Sequence, residues 1–288
     1  AALHQMLDKK EAEASIPALW LLNDFNQLNS KDISNALEND IEGVRENALK
    51  VADLVMNRPA FSQDKLLKES LLKAADDPSA RVRFQWLCSS GFFKFPEVAS
   101  LRSKIVNQDI DDHWVGVAAI AASKGSELNL LQNAVASFGA KPSEGKENFF
   151  AYLAAALLKK NDVSFVSMTT DKQVNNDWWQ AALLKGLANY AGYSEVKIQL
   201  NEQQKNALAE SFLLATSSKM RRSIIETFKA IGIPKNLVFF KQVYTKFLGS
   251  KEAVFQEDAL AMLTLQKDPK FNQQLITFIV SAPSESIQ

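Results

Sequence analysis

The chain has 288 residues, of which 47% are apolar, enough material for one large hydrophobic core or two ordinary ones. Lys plus Arg and Asp plus Glu both number 33, so the whole-chain field that draws proteins to phosphate backbones is missing and nucleic acid is not an expected partner. The single cysteine, Cys88, excludes an internal disulfide and any cysteine-rich metal centre, and no apolar run approaches the roughly 18 residues needed for a membrane span.

Only 10 Gly and 8 Pro punctuate this length, while Ala, Leu, Lys, Glu and Gln are plentiful, so an all-α fold is expected. The chain opens Ala1-Ala2-Leu3-His4, without an initiator Met or a basic-then-apolar leader, which reads as a processed or excised piece whose targeting signal would lie elsewhere.

Residues 3 to 10 form a short amphipathic pattern, and Ser15 with Pro17 in the first turn predicts a second helix carrying Leu19, Trp20, Leu22 and Phe25 on one stripe. Ser30 is placed to cap a short helix with Ile33, Ala36 and Leu37 inward. Val44, Ala48, Leu49, Ala52 and Val55 then keep the helical period until Pro59 closes it. Leu66, Leu67 and Leu71 start the next pair. Asp77-Pro78 is its turn, and Val82 to Phe93 its second helix, with Phe84, Leu87 and Cys88 expected inside.

Pro96 opens a helix through Val98, Leu101 and Ile105. Asp109 to Asp112 is a turn before Trp114, Val117, Ala118 and Ala121, and Leu128 to Val135 supplies the partner. After the polar break at Lys141 to Gly145, Phe149 to Leu158 is strongly helical, whereas residues 162 to 172 predict a short helix or an irregular link. Trp178, Trp179, Ala182, Leu183 and Leu187 form another stripe, followed by Ala207 to Leu214. Ile224, Ile225, Phe228 and Ile231 come next, then Leu237, Phe240, Val243 and Phe247. Val254, Leu260, Met262 and Leu263 precede a terminal helix with Phe271, Leu275, Ile276 and Ile279.

The second helix of each pair starts near residues 16, 44, 82, 114, 149, 178, 221 and 254. These steps of roughly 28 to 43 residues are those of two-helix solenoid units. The expectation is an α-α superhelix of about eight helix pairs, one domain over residues 1–282, with a frayed tail at 283–288.

Val82-Arg83 aligns with Val44-Arg45 at an offset of 38, bringing Asn39-Asp40 onto Asp77-Pro78. A carboxylate in such a turn can accept from free helix N–H groups and from an Arg of the adjacent unit. Asn39 or Asp40, Asp77, Arg45 and Arg83 are therefore expected to form an inter-unit ladder. Outward-pointing arginines that bind an anion are the alternative, but they would have no need of this turn spacing.

Asp77-Pro78 with Val82-Arg83 resembles the turn signature of HEAT repeats, and the block from Ala18 to Ala52 resembles the HEAT-like segment of large secreted bacterial dehydrogenase-like proteins. In that family a sugar-dehydrogenase-type propeller precedes the repeats and a c-type haem domain with Cys-x-x-Cys-His follows. The resemblance implies a periplasmic or secreted setting. Neither a propeller nor that haem motif occurs here, so the family's catalytic and haem residues have no place in this chain. Trp114-Val115-Gly116 and Trp178-Trp179-Gln180 lack the Arg, which breaks the ladder after its second copy.

No reaction is named by the remaining residues. His4 and His113 lack metal-ligand spacing, His113 beside Asp111 and Asp112 reads as a helix start rather than a general base, and Cys88 reads as an inert core thiol. No Gly-rich phosphate loop or Gly-x-Ser-x-Gly elbow is present. Catalytic, cofactor and metal residues are therefore not expected.

Trp178 and Trp179, adjacent on one helix, suggest that one is exposed as a partner anchor, unless a wide stripe buries both. Lys219, Arg221 and Arg222 form a small cluster, solvated, paired with Glu226, or touching a partner. The leading expectation is a non-catalytic scaffold or protein-interaction module within a larger exported protein. Its partner would be another protein or a neighbouring domain, on a concave face made by the second helices at 44 to 57, 82 to 93 and 178 to 190. The rivals are a helical-repeat DNA-binding enzyme of the glycosylase type and a pure spacer.

Overall fold

The computed structural model describes residues 2–9, 12–171, 177–267 and 269–281. Among them there are helices and turns but no strand, so the fold is all-α. Packing separates two compact units, residues 1–139 and 140–288, where the sequence reads one domain over 1–282. The division falls beside Gly139, at the polar segment ahead of Ser143. The expected tail at 283–288 lies outside the described residues.

The first unit contains α1 (Ala2–Asp8), α2 (Ala12–Asp24), α3 (Ser30–Leu37), α4 (Glu42–Val55), α5 (Pro59–Ser62) and α6 (Lys65–Lys73). A 3₁₀ turn (Ala74–Asp76) leads to α7 (Ala80–Ser89), α8 (Val98–Asp109), α9 (His113–Ala122) and α10 (Glu127–Ser137). Two rows result. Helices α2, α4, α7 and α9 pack each against the next, while α1, α3 and α8 pack against them, with α6 on α3 and α10 on α8.

The second unit repeats the plan with α11 (Glu144–Leu158), α12 (Val166–Thr169), α13 (Trp178–Tyr193), α14 (Glu202–Leu214), α15 (Ser218–Ile231), α16 (Leu237–Val243), a π-helical turn (Tyr244–Leu248), α17 (Ala253–Leu263) and α18 (Pro269–Ser281). Here α11, α13, α15 and α17 form the continuous row, backed by α12, α14 and α16. Each helix thus shields the apolar side of the next, as in a helical solenoid. The eight second-row helices start within about five residues of where the periodicity places them.

Local chemistry sets the helix starts. Asn29, not Ser30, caps α3, in a reciprocal box with Asp32, and Asn201 and Gln204 do the same for α14. Asp64, Asp112, Ser143, Ser217 and Asn236 each accept a backbone N–H from the first turn of their helix. Helix α2 starts before the expected Ser15 cap, and Pro17 falls inside it, where the ring removes one ladder hydrogen bond. Gly232 ends α15 with a left-handed φ of 89° that side chains resist.

The core runs between the rows. Val44, Ala48, Leu49, Val82, Trp86 and Leu87 fill it in the first unit, and Trp86 Nε1 donates to the Leu71 carbonyl at 2.6 Å. Phe149, Phe150, Leu183, Phe212, Phe228 and Phe239 fill it in the second.

Several sequence expectations fail by face, and Phe25, Val117, Leu237 and Ile276, read on apolar stripes, are exposed. Cys88 is exposed, not in the core, because the inward stripe of α7 runs through Val82, Arg83, Trp86 and Leu87. Trp114 is 62% exposed although Ala118, one turn on, is buried; the His113 ring meets it edge-on, with centroids 5.1 Å apart.

Candidate interaction surface

Each second-row helix is entered from a turn whose carbonyls need donors. In the first unit, Arg45 Nη1 donates to the Asn39 and Asp40 carbonyls at 2.8 and 2.9 Å, while Nε and Nη2 grip Asp77 at 2.6 and 2.8 Å. Arg83 repeats the arrangement. Its Nη1 reaches the Asp77 and Pro78 carbonyls at 2.8 and 3.0 Å, and Nε and Nη2 grip Asp109 at 2.7 and 2.8 Å.

Of the residues expected in a ladder, Arg45, Asp77 and Arg83 come together, with Asn39 and Asp40 contributing carbonyls rather than side chains to the arginine. The Asn39 side chain instead accepts from the Ile41 N–H. These bidentate pairs raise both guanidinium pKa values, the hydrogen bond to Asp77 or Asp109 being the largest cause. Asp109 was read as part of a turn only; it is the acceptor of the second rung. Six residues after it stands Val115, not Arg, and the series stops.

The six-residue spacing reappears in the second unit. Arg221 Nη1 donates to the Ala215 carbonyl at 3.0 Å, and Gln256 Nε2 to the Ser250 carbonyl at 2.7 Å. Arg221 therefore does not serve a partner. It is 1% exposed, donates to Asp258 at 2.8 Å, and lies 4.3 Å from the Phe255 ring centroid. A buried guanidinium needs these partners, and they consume it.

Trp178 and Trp179 are also both buried, at 5% and 6% exposure, so neither is presented as an anchor. They surround one ring: Phe150 of α11 lies 5.4 Å from Trp178 and 6.0 Å from Trp179. Adjacent residues diverge around a helix, but α13 is flanked by α11 and α15 and backed by α12, so nearly its whole first half is covered. At Gly186 α13 packs tightly against the α11 backbone: a Cβ there would stand 2.3 Å from the Ala151 carbonyl oxygen.

The open side of this row carries a groove of about 870 Å³ between α13 and α15. Ala188, Gly192, Ser223 and Ala230 make its small-residue floor, and Tyr193, 92% exposed, stands at one edge. A second depression of about 390 Å³, between α11 and α13, shares Asn189 and Tyr193 with it.

Four cations line the larger groove, Lys185, Lys219, Arg222 and Lys229, and three of them are already matched. Lys219 meets Glu147 at 2.5 Å, and Lys229 meets Glu226 at 2.7 Å. Arg222, expected beside Glu226, instead donates to Asp258 at 3.0 Å and Glu257 at 3.2 Å. The groove is therefore nearly neutral.

Elsewhere, His4 Nδ1 lies 2.8 Å from Asp32, and no group of three His, Cys, Asp or Glu among the described residues could hold a metal ion. Partial burial and the nearby Asp53 push the Cys88 thiol pKa up, which disfavours the thiolate. No described helix is long and apolar enough to cross a membrane. Compared with known proteins, the chain matches no family model and no curated relative.

Proposed function

We propose that the chain is a non-catalytic, HEAT-like helical-repeat scaffold whose open second-row face holds another protein or a neighbouring domain of a larger exported polypeptide. The observation that carries this reading is the α13–α15 groove: a floor of small residues, an exposed Tyr193 and polar side chains along two packed helices. The six-residue carbonyl capping by Arg45, Arg83, Arg221 and Gln256 supports a common repeat unit. The exported setting rests on the likeness of the Ala18 to Ala52 block alone.

A photo-crosslinker placed at Tyr193 is expected to give discrete protein adducts in the source cell, and the same group at exposed Lys197, outside the groove, none. Equal labelling at both positions would remove the reading.

The cation-lined groove with its tyrosine also suits a duplex-binding enzyme, but Glu147, Glu226, Glu257 and Asp258 cancel the charge such a groove would use. Measurable duplex binding at low salt, lost in Lys185→Glu, would favour that rival.

A further inference from the structure

We propose that the α13–α15 groove takes an extended, acidic polypeptide segment, recognised through Lys185, Asn189 and the unused N–H groups of Arg222. This deepens the interaction-module reading and rests on it.

The argument begins with which polar groups are already spent. Lys219 and Lys229 are held by carboxylates of their own chain. Lys185 is exposed, with no carboxylate partner among the described residues, and is the one outward residue in an otherwise buried stretch of α13. Arg222 uses two of its five N–H groups on Asp258 and Glu257, leaving three. The groove is nearly neutral in sum, but its uncommitted donors, Lys185 and three N–H groups of Arg222, are cationic, and their complement is a carboxylate.

Lys185, Asn189 and Tyr193 follow one another a turn apart, a single stripe along the groove. Asn189 has no hydrogen-bond partner among the described residues. Its amide offers both a donor and an acceptor, the pair that a peptide group in an extended chain needs. From Lys185 to Tyr193 the helix rises about 12 Å, the length of about four extended residues.

Ala188, Gly192 and Ala230 keep the floor low enough for a backbone to approach. Because α13 and α15 pack directly on each other, the cleft suits a narrow extended chain better than a helix about 10 Å across. The Tyr193 ring gives an apolar wall for one side chain of the guest.

The test uses the full chain and three fluorescein-labelled decapeptide pools: one with Asp and Glu alternating with Ala, Ser and Tyr, its Asn and Gln counterpart, and one with Lys and Arg. Binding is read by anisotropy at low salt, with circular dichroism confirming that each variant folds. The acidic pool is expected to bind best, at least about tenfold more weakly to Lys185→Glu, about threefold or more weakly to Asn189→Ala, and unchanged to Lys124→Glu in the first unit. Inorganic phosphate at millimolar levels should not displace it.

Equal binding of the Asn and Gln pool would overturn the acidic preference while leaving a peptide groove. Insensitivity to Lys185→Glu would place binding elsewhere and overturn the proposal, as would complete displacement by phosphate, which marks a simple anion subsite. Failure of every pool would overturn it too, and crosslinking at Tyr193 then decides separately whether the interaction-module reading survives.

Discussion

The two units solve one packing problem with different chemistry. In the first, the second-row helices are tied by charge: Arg45 grips Asp77 and Arg83 grips Asp109, each arginine also closing the turn of its own unit. In the second, that charged tie recurs between α15 and α17, where Arg221 grips Asp258, but α11 and α13 meet backbone to backbone at Gly186 and Ala151, and Phe150 fills the space between two indoles. What two helices of each unit share is a carbonyl capped by the side chain six residues further on, an Arg three times and a Gln once. A geometric demand of the backbone is kept while the side chains that meet it change, so the repeat carries little residue identity.

A buried cation in the first unit shows the same economy. Arg102 is 8% exposed and donates to Ser90 Oγ, the Ser90 carbonyl and Ser123 Oγ, with no carboxylate among these partners. Ser90 and Ser123 end α7 and α9, so the guanidinium sits where two helix dipoles present their negative ends. Burial still lowers its pKa.

The contrast breaks most sharply at Gly186. Leu there must force α11 and α13 apart, because the Ala151 backbone occupies the space and cannot rotate away as a side chain could. A loss of roughly 4 kcal/mol or more is expected, read by denaturant unfolding and by lost amide protection confined to α11 and α13. Protection lost equally from α4 and α7 would contradict a seam local to the second unit.

Arg83→Ala comes next. It strands the partly buried Asp109 carboxylate and uncaps the Asp77 and Pro78 carbonyls, for an expected cost of about 3 kcal/mol. A double-mutant cycle with Asp109→Ala should return a coupling of about 1 kcal/mol or more, and additivity would mean that the charged rung does not tie α7 to its neighbour.

Periodicity made the helices and their second-row starts legible, since stripes such as Val44, Ala48, Leu49 and Val55 report burial directly. The ladder was half legible. Arg45, Asp77 and Arg83 share an alignment, but Asp109 ends α8 just ahead of two other aspartates, and no local pattern distinguishes the one that an arginine 26 residues earlier will reach. The six-residue spacing from Asp77 to Arg83 was available as a signal, and applied to Asp109 it leads to Val115, where the series ends.

Arg221 was misplaced because Asp258 lies 37 residues on, inside a helix, and a pair of adjacent arginines looks alike whether one is buried or both are solvated. Trp178 and Trp179 failed for a related reason: periodicity assumes one covered face, and α13 is covered on several. The small-residue floor of the groove left no mark in the sequence, although two of its cations, Lys219 and Arg222, belong to the basic cluster read there.

The smallest effect expected is at Asp53, on α4 where it faces Ser89 of α7. Burial raises its carboxyl pKa to about 6, against a smaller opposing effect of the Ser89 hydroxyl, and Oδ1 is buried with no hydrogen-bond partner among the described residues. A folded-state pKa above the unfolded value of 3.8 means that the fold prefers the protonated acid. Its favourable contribution is complete below pH 3.8 and is lost as pH rises through about 6, so the charged form weakens the α4–α7 seam at neutral pH. Asp53→Asn should therefore gain about 2 kcal/mol over the parent at pH 7.5 and little at pH 4, seen as a difference in denaturation midpoints that grows with pH. In the α11–α13 seam, where Gly186 meets the Ala151 backbone, the matched Ala155→Ser substitution should show no such pH dependence. A flat difference for Asp53→Asn would mean that water reaches the carboxylate and that the first unit's seam, like the second's, is indifferent to pH.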